Sequence, residues 1–147
     1  MTHTVRFQRV LRAPAERIYR AFLDPAAMCK WLPPHGFTGT VQQMDAVVGG
    51  QYRMSFTHFG SGHTHSFGGE YLQLEPAQKL VYTARFDDPN LPGQMQTTVL
   101  LRSVFCGTEL QIEQQGIPEM IPAEACIMGW QESLQLLQQL VEPEIPG

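Results

Sequence analysis

Hydrophobic and polar positions alternate with a period of two along most of this chain and switch to a helical period near its beginning and at its end. Val5, Phe7 and Leu11 share one parity, with mostly polar residues between them, which predicts a first strand over residues 3–12. Pro14 stands where a first-turn proline belongs, and residues 15–23 read as a short amphipathic helix with Ile18, Tyr19 and Phe22 on one face. Asp24 and Pro25 end it, and Asp24 is placed to cap a second short helix reaching to about Trp31. Pro33, Pro34 and Gly36 make a loop. Strands follow at 37–43 and, after Gly49 and Gly50, at 50–59, where Tyr52, Met54, Phe56 and His58 alternate with Arg53, Ser55 and Thr57. Residues 60–63 form a hairpin loop, and further strands are expected at about 65–75, 79–86, 95–105 and 108–115. In the last of these Leu110, Ile112 and Gln114 face one way while Glu109, Gln111, Glu113 and Gln115 face the other, so one face is buried and one is wet.

The C-terminal segment changes period. Met120, Ala123, Ile127, Trp130, Leu134, Leu137 and Val141 recur at spacings of three and four, an apolar stripe along one long helix that starts near Pro122 and is stopped by Pro143. The predicted order is strand, two short helices, six strands, long helix. A long helix with one apolar stripe needs a concave surface, and a curved antiparallel sheet supplies it, giving an α+β architecture.

The 147 residues fit a single domain over 1–147, and with 43% hydrophobic residues a core forms without staples. Charged residues make up only 16%, which argues against disorder. Lys+Arg 10 against Asp+Glu 14 gives a net charge of −4, which argues against a general nucleic-acid partner. No apolar run is long enough to span a membrane, and the start MTHTVRF lacks a signal-peptide core. Cys29, Cys106 and Cys126 are odd in number and far apart, as reduced thiols in a cytoplasmic protein are. Charge is unevenly spread. Arg6, Arg9, Arg12, Arg17 and Arg20 fall near the start, and seven glutamates against Arg102 alone follow Leu101. The plain reading is a solvated face; the sharper one is a surface for an acidic partner, or head-to-tail pairing in a homodimer.

Several local motifs add to this order. Residues 13–19 (Ala-Pro-Ala-Glu-Arg-Ile-Tyr) enter the first helix, and Trp31 stands ahead of Pro34, Gly36 and Phe37. Asp45 precedes Gly49, Gly50 and Tyr52, while Gly69-Glu70-Tyr71 precedes Glu75-Pro76 and Lys79-Leu80-Val81-Tyr82. Gly129-Trp130 is followed by Leu134 and Leu137. As an ensemble these resemble the Hsp90-ATPase-activator-like branch of the START-type superfamily, which includes polyketide cyclases and Bet v 1-like proteins. Val48 departs from it, standing where the family often has a basic residue ahead of the paired glycines. The resemblance covers about the whole chain. It implies a helix-grip fold, a curved antiparallel sheet wrapped around the C-terminal helix, with a cavity between them. In that superfamily the cavity takes hydrophobic or amphipathic small molecules and in some branches hosts chemistry. The family name also implies a chaperone contact, for which no residue of the sequence speaks.

The ligand-binding residues expected on this basis are Trp31, Phe37, Tyr52, Met54, Phe56, Tyr82, Ile112, Gln114, Ile127 and Trp130, with Phe86 also on an inward parity. A buried hydroxyl or amide costs about 1–3 kcal/mol if unpaired, so Tyr52, Tyr82, Gln114 and His58 need either internal partners or a polar group of a ligand. His58, His63 and His65 gather around one hairpin, but their spacing fits no established zinc set, and solvated loop histidines are the better reading. No metal and no cofactor is expected. Gly60-Ser61-Gly62 is not a nucleophile elbow. Glu70 and His58 are the residues to inspect for acid–base work. The expected function is binding of a small, largely apolar molecule. The alternatives are an enzyme of cyclase, hydrolase or isomerase type in the same cavity, and a chaperone-associated interaction module.

Overall fold

The computed structural model describes residues 2–144. Ten elements follow one another: β1 (His3–Leu11), α1 (Ala15–Leu23), α2 (Pro25–Trp31), β2 (Phe37–Met44), β3 (Gln51–His58), β4 (Thr64–Glu75), β5 (Lys79–Phe86), β6 (Met95–Val104), β7 (Gly107–Ile117) and α3 (Ala123–Val141). This is the order the hydrophobic pattern predicts. Asp24 caps α2 as expected, its Oδ1 accepting from the backbone N–H groups of Ala26 at 2.9 Å and Ala27 at 3.3 Å.

The seven strands form one antiparallel sheet in the order β1-β7-β6-β5-β4-β3-β2. From β2 to β7 each strand pairs with its successor, so short hairpins suffice. The crossing from β1 to the far edge is made through α1 and α2. Register shifts in β1 (His3/Val5), β2 (Val41/Gln43) and β4 (Tyr71/Gln73) interrupt the ladders. Such bulges bend and twist a strand, and the open sheet curves accordingly. The last helix, α3, packs on this sheet, an α+β arrangement of the helix-grip type.

Pairing β1 with β7 brings the two ends of the charge split side by side. It brings Arg6 Nε to 2.7 Å from Glu113 Oε2, while Glu109 meets Arg102 at 3.1 Å. Arg17 donates to the backbone carbonyl of Val141 at 2.8 Å, and Glu142 accepts the backbone N–H of Arg12 at 2.9 Å. The arginine-rich beginning and the glutamate-rich end are therefore neighbours within one chain.

One detail of the long helix differs from the stripe read in the sequence. Met120 precedes α3 and is 69% exposed, and Ile127 is only half-buried. The buried set is Trp130, Ser133, Leu134, Leu137 and Val141. The buried stripe is continuous only from Trp130 onward, and Cys126 and Gly129 of the first two turns border a hollow.

Candidate ligand cavity

That hollow is a cavity of about 450 Å³ between α3 and the sheet. The antiparallel register sets its position. The last residues of β3, β5 and β7 and the first of β4 and β6 meet at one end of the sheet. Phe56, Phe67, Phe86, Met95 and Ile117 at that end line the cavity, with Leu91 and Ile121 from the loops beside it. The opposite wall comes from Cys126, Gly129, Trp130 and Ser133 of α3, and Met28, Leu32 and Pro34 close one flank.

The sheet wall is held by rings packed edge to face. Phe56 and Phe67 lie 5.0 Å apart at 80°, Phe67 and Phe86 6.2 Å apart at 65°, and Tyr52 and Tyr82 6.0 Å apart at 85°. Aromatic quadrupoles favour this geometry, so each ring is positioned by its neighbours. Gly69 makes room for one of them. It pairs with Tyr52 across β3 and β4, and a β-carbon there would fall 1.8 Å from the Thr83 carbonyl oxygen. That same oxygen accepts the Tyr52 hydroxyl at 2.6 Å. Gly69 thus permits a close approach that satisfies a buried phenol.

The remaining inward polar groups are also bonded within the protein. Gln114 Oε1 accepts from the Trp130 indole N–H at 3.0 Å and from the Cys126 thiol at 3.4 Å, and Gln114 Nε2 donates to Thr97 Oγ1 at 3.2 Å. Ser133 donates to the carbonyl of Leu32 at 2.6 Å. Among the described residues no buried side-chain polar atom lacks a partner. Of the two readings open for Tyr52 and Gln114, internal partners are what the fold supplies.

Burial pushes the Tyr52 phenol well above its usual range, with Tyr82 and Tyr71 adding to the shift. Burial likewise raises Tyr82, reinforced by Tyr71 and opposed by a hydrogen bond with Thr97. Tyr71, behind them, is pushed up to about 12 by burial and then by the charge of Asp45. Burial raises the Cys126 thiol too. These groups keep their protons near neutrality, so this wall offers apolar contact and occupied hydrogen bonds rather than a base or a thiolate.

Six of the ten residues expected at the site line the cavity: Phe37, Tyr52, Phe56, Tyr82, Gln114 and Trp130. The other four lie elsewhere. Trp31 is fully buried against Phe22, at 4.8 Å and 71°, and donates its indole N–H to Ala21. Met54 is fully buried between Val41 and Phe67, its partners across β3. Ile112 is buried opposite Phe7 and Val99. Ile127 packs against the core from a flank of α3 outside the cavity. Inward parity in a strand marks the core face as a whole and does not say which part of that face is filled. The position of Trp130 mid-stripe predicts packing against Tyr52, Phe56 and the strand around Ile112. The indole does meet that strand, through Gln114, while its ring lies 5.9 Å from Phe7 and Tyr52 and Phe56 stand with it around the cavity.

Phe67, Cys126, Gly129 and Ser133 were missed. Phe67 shares the inward parity of Gly69 and Tyr71, and that signal could have found it. Small residues on a helix carry no such signal. Glu70 and His58 are exposed and outside the cavity. His58 Nδ1 is engaged by the Ser61 hydroxyl at 2.9 Å and by its backbone N–H at 3.1 Å. His63 and His65 lie ring to ring at 4.6 Å, and His65 reaches the cavity rim. Among the described residues no three metal-ligating side chains converge, and no helix is long and apolar enough to cross a membrane.

The fold and cavity define a helix-grip protein. The family model described as Activator of Hsp90 ATPase homolog 1-like protein matches residues 12–142, and the chain belongs to that family. Such membership supports a ligand-binding or interaction domain in general. No curated protein matches the chain. Among solved structures, a protein of Chromobacterium violaceum is 56% identical, with a TM-score of 0.95 over 96% of this chain and 98% of that one. A Rhodobacter sphaeroides protein is 24% identical, with a TM-score of 0.81 over 93% and 90%. An AHSA1-like protein of Aeromonas hydrophila is 20% identical, with a TM-score of 0.75 over 93% and 90%. The last two are likenesses of fold.

Proposed function

We propose that this chain is a cytoplasmic binding protein for a small, largely apolar molecule, held without a cofactor between α3 and the sheet. The observation that carries the reading is the cavity itself. Its volume of about 450 Å³ falls in the range of small-molecule sites, and it combines aromatic walls with polar groups already bonded to the protein. An apolar occupant takes the apolar walls of this open cavity out of water and gains dispersion contacts with them. The ligand is therefore recognised by shape and apolar area, with its polar end at the rim near His65. Three free cysteines fit a reducing compartment.

A thermal-shift screen of fatty acids, aromatic acids and polyketide-like compounds tests this, together with native mass spectrometry of protein purified from its own host. Binding to the native state alone raises stability by RT ln(1 + [L]/Kd), about 2.7 kcal/mol at a hundredfold excess over Kd. Concentration-dependent stabilisers, or a retained small molecule, are the expected outcome. A well-folded protein that no compound shifts and that carries no retained mass would sink the reading.

A further inference from the structure

Gly129 is a glycine inside a helix where nothing in the surrounding structure demands one. Elsewhere the reason is plain: a β-carbon at Gly50 would fall 2.1 Å from the Asp45 carbonyl oxygen, and one at Gly69 1.8 Å from that of Thr83. At Gly129 a β-carbon would meet nothing within 4 Å, and the backbone is ordinary helix. Glycine is a poorer helix former than any residue but proline, so α3 gives up helical preference here without gaining room for a neighbour.

What the missing side chain leaves open is space along the cavity. Gly129 lines it, on the flank of α3 that faces the loop between α2 and β2. One turn further on, Ser133 bonds Leu32, and the backbone N–H of His35 donates to Glu132 Oε1 at 3.2 Å, which ties that loop to the helix. The loop therefore cannot move in to close the space without breaking these bonds.

We infer that Gly129 sets the width of ligand the cavity accepts, its bare helix turn receiving the broadest part of an uncharged fused-ring or branched apolar group. The polar side chains beside it are committed elsewhere, Cys126 to Gln114 and Ser133 to Leu32, so this part of the wall selects by size alone. The inference rests on the ligand-binding reading above and adds the residue that limits it.

Phenylbutyrate and pyrenebutyrate share one acid tail and differ in ring width, which makes them matched probes. Their affinities are to be measured for the wild type, Gly129→Ala, Gly129→Leu and the control Gln135→Leu, which adds the same side chain on the exposed face of α3. Gly129→Leu should weaken pyrenebutyrate by about tenfold or more, the scale on which a small apolar change in a pocket discriminates, and leave phenylbutyrate little changed. Gly129→Ala should act in the same direction and more weakly while raising the melting temperature by about 2–4 °C, which keeps the test informative should the leucine variant fold poorly. Gln135→Leu should alter neither affinity. If the wild type binds both probes and the Gly129 variants bind both equally well, Gly129 is not the width limit although the cavity still binds. If the wild type binds neither probe, the width inferred at Gly129 is wrong, and the ligand-binding reading then stands or falls on the screen and the retained mass above.

Discussion

The interface between α3 and the sheet has two halves of opposite character. In one, Leu11, Leu80 and Leu110 on the strands and Leu137 and Val141 on the helix each have a relative exposure of 2% or less. In the other, Phe56, Phe67 and Phe86 are half-buried around a void, and the helix presents Cys126 and Gly129. The same helix and the same seven strands build both. Branched aliphatic side chains interlock across a gap and close it. Flat rings packed edge to face along the sheet are held by one another, so a wall of them stands without the helix reaching it. The lesson is that stability and vacancy are separated by residue type along one interface: the aliphatic half holds the domain together, and the aromatic half is free to stay open.

The largest effect that could break this comparison is alkaline. Tyrosine in an unfolded chain ionises near pH 10, whereas Tyr71 in the fold is pushed up to about 12 and Tyr52 and Tyr82 are raised as well. A raised folded value means that each phenol's contribution is fully present below pH 10 and is lost as the pH rises through its own folded value, about 12 for Tyr71. Tyrosinate absorbance should therefore appear together with loss of the fold above about pH 11. Three of the four tyrosines titrating near pH 10 in folded protein would mean that the hollow half is wet and its phenols solvated.

Next in size is the contrast between the halves themselves. Leu137→Ala should cost about 2–5 kcal/mol in urea melts, because it opens a cavity in a filled region. Phe86→Ala, beside a void that already exists, should cost only about 1 kcal/mol. Equal losses would show that the hollow half is as tightly coupled to stability as the filled one.

How far the sequence made these halves legible follows the same division. The succession of elements and the inward face came from periodicity, since one buried face leaves a pattern of period two or 3.6, and the helix bounds came from prolines and the Asp24 cap. Tyr52, Phe56, Tyr82, Gln114 and Trp130 were identified that way, and Phe37 came with the tryptophan-proline motif. Trp31, Met54, Ile112 and Ile127 were apolar residues like the others, and only the depth of packing separates them from the cavity. Gly129 entered only as part of the Gly129-Trp130 motif and Ser133 not at all, because small residues on a helix add nothing to an apolar period. Leu91 and Ile121 come from loops, where no period applies.

The smallest expected effect concerns the bond that joins the halves. Gln114 spans from β7 to α3, accepting the Trp130 indole N–H and the Cys126 thiol while donating to Thr97 on β6. Gln114→Leu nearly preserves volume but leaves the Trp130 donor without its acceptor in a buried position. A stranded buried donor costs about 1–3 kcal/mol. Trp130→Phe removes the donor as well, so the double variant should be less destabilised than the two single losses added together, with a coupling of about 0.5–3 kcal/mol as expected for residues in direct contact. Urea melts of the four proteins give that number. Strict additivity would mean that Gln114 does not hold the indole, and that the edge of the cavity next to Trp130 is fixed by ring packing against Phe7 alone.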